Sequence, residues 1–186
     1  GSGGPPFMRG SGAAPFAGRT GGLPPNHPPM TRPSTGAKAI SATGGNPGFT
    51  FTTPKGWTPG RAGGMRKLAF NVGDESGTEL TVTTLGKAGA AMLPNVNRWR
   101  GQVGLDPVDQ EGLDDVVSKV DVSGSPGTLI QLVGPNDESQ SMSVVMAERD
   151  NVVWFFKLMG DSATVAAAEQ QFNEFIDSIE FSSEGE

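Results

Sequence analysis

The sequence predicts an α+β domain, an α/β/α sandwich whose sheet has six or seven mostly antiparallel strands. Three observations predict it. Short runs of alternating apolar and polar residues recur between turn signals from Phe49 onward. A later run, residues 151–159, is apolar at odd and even positions alike, so both of its faces need cover. Two stretches with apolar residues at helical spacing supply that cover, one for each face.

The elements follow in order. In residues 49–53, Phe49 and Phe51 alternate with threonines, which places both rings on one face of a strand that Pro54 ends. Residues 56–60, which include Trp57, read as loop. Residues 66–72, with Leu68, Phe70 and Val72 inward, pair with 79–85, with Leu80 and Val82 inward, as a hairpin around a turn at 73–77. After a loop at 87–91, Pro94 stands where a helix begins. Val96, Trp99 and Val103 then form its buried stripe, and Asn97, Arg98, Arg100 and Gln102 fall off it. Gly104 reads as a left-handed stop, and a helical turn follows near 109–113.

Residues 116–122, 128–133 and 141–148 read as three more strands, with turns at 123–127 and 134–138 between them. Met142, Val144 and Met146 share one face of the third. Residues 151–159 form the central strand. Asp161 or Ser162 caps the last helix, whose Val165, Ala168, Phe172, Phe175 or Ile176, and Ile179 face the sheet. Glu169, Glu174 and Asp177 lie off that stripe, and Phe181 adds a last strand residue.

Composition changes near Asn46. Gly and Pro number 28 and 15 of 186 residues, nearly twice their usual share of about 12%. The excess is concentrated in residues 1–45, which hold Pro5-Pro6, Pro24-Pro25 and Pro28-Pro29. Their scattered apolar residues follow neither periodicity and cannot offset the entropy of ordering. Residues 1–45 are therefore expected to be a disordered tail or linker, with local polyproline II near 23–29. Residues 46–182 are the domain, and 183–186 a short acidic tail.

Charge divides at the same place. Four of the fourteen basic residues and none of the twenty acidic ones precede residue 46, so the remainder carries a net charge of −10. A domain of that sign repels phosphate backbones, which excludes nucleic acid as its partner. Without Cys there is no disulfide, thiolate nucleophile or Cys-ligated metal. The single His, His27, lies in the tail, so a His-based triad or a His-ligated metal in the domain is excluded. No cofactor and no metal are expected.

No apolar run reaches the roughly 18 residues that span a bilayer, and residues 1–45 do not read as a signal peptide. The opening Gly1-Ser2-Gly3-Gly4, which lacks Met, reads as a cloning remnant. A low-complexity spacer ahead of a domain is what an anchored exported protein carries. The expected location is the periplasm or a lipid anchor outside this chain, with the cytoplasm as the alternative.

The binding candidates are Asn95, Asn97, Arg98, Arg100 and Gln102 on the middle helix, together with Trp57 and Lys157. The helix residues read as a polar recognition patch or, more plainly, as caps and local ion pairs around a core Trp99. Arginines at i and i+2 do not point together, so they form no single clamp. Lys157, in the central strand, reads as a ligand-binding group or as a partner for Glu79, Glu148 or Asp161. Trp57 reads as an exposed contact or as a ring folded over the sheet edge. The acid pairs Asp74-Glu75 and Asp114-Asp115 read as solvated surface. Asp137-Glu138 lacks the alternate oxygen spacing of a calcium loop, and residues 60–64 lack the context of a phosphate loop.

The order of elements resembles the Mog1/PsbP superfamily over residues 49–181. The opening Phe51-x-x-Pro54-x-Gly56-Trp57 is similar to that of PsbP-type domains, as is Trp154-Phe155-Phe156-Lys157 running into Gly160-Asp161. The segments at 95–102 and 155–161 are similar to those of exported or lipid-anchored domains of unknown function in planctomycetes and related bacteria. The resemblance implies an accessory or binding role, such as a photosystem subunit or a GTPase-binding factor, but no site residue of either carries over. A non-enzymatic, tethered, partner-binding domain is therefore expected. The alternatives are an enzyme using carboxylates with Lys157 or Arg98 and Arg100, and a structural module of an envelope assembly.

Overall fold

A computed structural model describes residues 47–74 and 77–182. The expected tail at 1–45, its polyproline stretch, His27, Glu75 and the acidic end at 183–186 lie outside the described residues. In chain order the elements are β1 (Phe49–Thr50), β2 (Thr58–Pro59), β3 (Arg66–Asn71), β4 (Glu79–Gly86), α1 (Met92–Gln102), α2 (Gln110–Asp114), β5 (Val117–Val122), β6 (Ser125–Leu132), β7 (Gln140–Arg149), β8 (Val152–Asp161), α3 (Ser162–Asp177) and β9 (Glu180–Phe181).

Seven strands form one antiparallel sheet in the order β2-β3-β4-β8-β7-β6-β5. The doubly apolar run is therefore its middle strand. Phe156 and Leu158 of β8 enter a cluster on one face, and Val153 and Phe155 enter a cluster on the other. Helix α3 covers the first face with Val165, Ala168, Phe172, Phe175 and Ile176. Helices α1 and α2 cover part of the second with Val96, Trp99 and Leu113. This is the α+β, α/β/α arrangement.

Residues 49–53 do not join the main sheet. Only Phe49 and Thr50 are strand, and they pair with β9 in a separate two-stranded ribbon. Aromatic packing decides this, because the Phe49 ring meets Trp154, Phe156 and Phe181 edge-on at 5.5, 5.7 and 6.0 Å. The loop expected at 56–60 contains the edge strand β2, too short to show an alternation.

Two turns differ from the sequence reading, the first by being tighter and the second by lying one residue further on. Ser123-Gly124 and Asp150-Asn151 have positive φ at both residues, and each closes a two-residue hairpin. Pro126 and Gly127, expected in the first turn, lie in β6. A Cβ on Gly127 would stand 2.9 Å from the Met146 carbonyl oxygen, so glycine there serves close strand approach. Helix α1 starts at Met92, and Pro94 sits within its first turn, where an N–H has no helical acceptor. Gly104 ends α1 at φ +81°, with Leu105 N–H donating to Arg100 C=O at 2.8 Å. The last helix is capped by the Asp161 carboxylate, which accepts from Thr164 N–H at 3.0 Å.

Candidate functional site

The second face of the sheet is covered unevenly. Its apolar cluster draws residues from β6, β7, β8 and the end of β4, but none from β3. The β3–β4 half of this face is polar. By register, Lys157 lies between Thr81 of β4 and Val144 of β7, and Met159 lies opposite Glu79. Arg66 of β3 pairs with Glu79 at 3.7 Å. From the helix side, Arg98 closes the group.

Arg98 is exposed, and its Nη2 donates to Asn95 Oδ1 at 3.0 Å. Asn95 is itself buried. Its Nδ2 donates to the carbonyls of Gly89 and Ala91 at 3.1 and 2.8 Å. Of its two readings, Asn95 takes the capping one: it fixes the entry of α1 and orients Arg98. Asn97 exchanges two hydrogen bonds with the backbone of Val108, both at 2.8 Å, and pins the chain between α1 and α2. Arg100 donates through Nε to the Asp106 carbonyl on that same flank. Gln102 is exposed in the last turn. The sequence-predicted helix patch therefore divides: only Arg98 reaches the β3–β4 half of the sheet.

Of the two readings of Trp57, the ring folded over the sheet edge is the one the structure has. Trp57 is 6% exposed, its ring lies 5.6 Å from Phe175 and 5.9 Å from Phe70, and its indole N–H donates to Gln171 Oε1 at 3.1 Å. Gly56, at φ +87°, turns the chain so that the ring folds back onto the sheet.

Lys157 forms none of the three ion pairs its sequence position implied. Glu79 holds Arg66, Glu148 holds Lys87, and Asp161 caps α3. Burial pushes the Lys157 ammonium below its ordinary range. The positive charges of Arg98 and Arg66 push the same way, and Glu79 opposes them. Arg66 was missed by the sequence reading. Strict alternation puts Arg66 on the face of Leu68 and Phe70, and only the bulge between Arg66 and Leu68 sets it opposite Thr83, on the side of Glu79, so no periodic signal marked it.

A cleft of about 800 Å³ opens elsewhere on this face, lined by Met92, Lys119, Asp121, Glu148 and Val153 among others. None of the predicted residues lines it. Among the described residues, no three His, Cys, Asp or Glu side chains come together as a metal site. Asn136 Oδ1 accepts from Glu138 N–H and Ser139 Oγ, which closes the 134–139 turn on itself. No helix of the described residues is long and apolar enough to cross a membrane.

No protein-family model matches the chain, and no curated protein matches it. Among solved structures, it is similar to a protein from Bacteroides thetaiotaomicron VPI-5482, with 14% identity and a TM-score of 0.48 over 75% of this chain and 47% of that one. It therefore spans about half the length of that relative. It is also similar to the cyanobacterial PsbP (CyanoP) from Synechocystis sp. PCC 6803, with 16% identity and a TM-score of 0.44 over 73% of this chain and 88% of that one. A PsbP thus stands among the structures this chain is similar to, and the likeness concerns the fold alone.

Proposed function

We propose that this domain is a non-enzymatic binding module that engages a protein partner, exported and held on its Gly/Pro-rich N-terminal segment as a tether. The observation that carries the reading is the uneven cover of the sheet. One face is closed by α3 and the β1–β9 ribbon, while the β3–β4 half of the other presents Arg66 exposed and Glu79, Thr83 and Lys157 half-buried, outside the apolar cluster that α1 and α2 cover. Such a face is open and polar, with room for a partner rather than an enclosed substrate. A photo-crosslinking residue at Thr83 is expected to capture a discrete partner in the native envelope. The same residue at Ala167, on the exposed side of α3, is not. Equal capture at both positions, or none, removes the reading.

The second reading is an enzyme, favoured by the placement of Lys157, Arg98 and Glu79 on one side of the sheet rather than on opposite sides. It uses Lys157, whose ammonium is destabilised by burial, as the reacting amine or base. Turnover in a broad hydrolase and transferase screen that is lost in Lys157→Met supports it. Turnover that survives the substitution, or none, removes it.

A further inference from the structure

The positive cluster around Lys157 is not neutralised by the fold. Arg66, Arg98 and Lys157 are three of ten basic residues in a stretch that carries a net −10, and they share one side of the sheet. The acid among them, Glu79, is taken by Arg66 in a loose pair whose side chains are 44% and 42% exposed. Among the described residues, no carboxylate lies within 4.0 Å of Arg98 or Lys157. Arg98 is oriented in advance by the buried Asn95, and only one of its nitrogens is used in that contact. Three positive charges gathered around the single carboxylate of Glu79 raise the energy of the unliganded face, and a further anion placed among them relieves it.

We propose that Arg98, Lys157 and Arg66 receive a carboxylate side chain from an acidic segment of the partner polypeptide, an assignment that rests on the binding-module reading above. The guanidinium fork of Arg98 matches a carboxylate in two parallel hydrogen bonds, and Lys157 adds a point charge at its side. The surface fits a group presented by a larger partner. None of the three residues lines any of four clefts of about 250 to 800 Å³ on the described residues, and a small-molecule site encloses most of its ligand. A nucleic acid, charged along its whole length, runs onto the net negative charge of the rest of the domain, whereas a short acidic segment sets its carboxylates on this cluster alone.

The probe is a fluorescein-labelled hexaglutamate peptide, followed by anisotropy at low salt with the full chain. The wild-type protein is expected to bind it, with affinity falling as salt rises. Arg98→Ala and Lys157→Met are each expected to weaken binding by about fivefold or more. Arg100→Ala, whose guanidinium turns to Asp106 on the other flank, leaves it unchanged. Circular dichroism checks that each variant is folded. Absence of binding, equal binding by wild type and variants, or displacement of the peptide by inorganic phosphate at a matching carboxylate concentration overturns the assignment. Crosslinking from Thr83 that persists in the double variant Arg98→Ala, Lys157→Met also overturns it while the binding-module reading stands. Loss of that crosslink in the double variant supports both.

Discussion

Lys157 shows how a single side chain can work against the fold that holds it. Its stem rises from the middle strand between Thr81 and Val144, half-buried, and its charge faces Arg98 from α1, Arg66 from β3 and Glu79 from β4. Burial acts most strongly, then the two guanidiniums, and Glu79 only partly offsets them. The folded-state pKa therefore lies below the ordinary value of 10.5, and between the two values the unfolded chain binds more protons. The sign follows: the Lys157 contribution opposes folding at neutral pH and is relieved as pH rises through the folded-state value toward 10.5. Lys157→Met is expected to be at least as stable as wild type near about pH 7, with the difference narrowing toward about pH 10. Urea midpoints for the two proteins at both pH values check this, and a variant less stable at neutral pH contradicts it. Sequence alone identified Lys157 as unusual but assigned it a local acid. Register decides otherwise, because Glu79 lies opposite Met159 and its carboxylate is already paired.

At the scale of elements, α1 holds Arg98 in place because both of its ends are tied. Asn95 closes its entry on the carbonyls of Gly89 and Ala91, and Asn97 fastens the chain that follows it to Val108. Gly104 turns the exit at φ +81°, with Pro135 Cδ 3.7 Å from where a Cβ would sit. That spacing is ordinary contact, so the cost of Gly104→Ala is conformational, about 1 kcal/mol. Gly101 lies inside the same helix, and a Cβ there meets nothing within 4 Å. Gly101→Ala is expected to stabilise by about 0.5–1 kcal/mol. Opposite signs for two Gly→Ala changes three residues apart, read from thermal midpoints, test the helix boundary itself. The stripe Val96, Trp99, Val103 and the stop at Gly104 were legible because they depend on local spacing and backbone handedness. The start at Met92 was not, because Pro94 is accepted anywhere in a first turn.

At the scale of the molecule, β8 is hydrogen-bonded to β4 and β7 and covered on both faces, whereas β5 and β2 are edges. Amides of β8 are therefore expected to exchange only through global unfolding, and those of β5 through smaller openings. Hydrogen exchange that protects β5 as strongly as β8 would contradict this order. The central position of β8 was legible from its composition, since a strand that is apolar at odd and even positions alike needs cover on both faces. The seven-strand order was not, because pairing partners are chosen by contacts far apart in sequence.

The sequence by itself determined the type of every long element, the helix stripes, the middle strand and the divide in charge near Asn46, because each is set by spacing or composition within a short window. Tertiary structure alone decided that β1 leaves the main sheet for β9, that Trp57 and Asn95 are interior, and that Arg98 rather than Arg100 joins Lys157 and Arg66. Those outcomes depend on where one element lands on another, and a packed face, unlike a periodicity, exists only after the chain has closed upon itself.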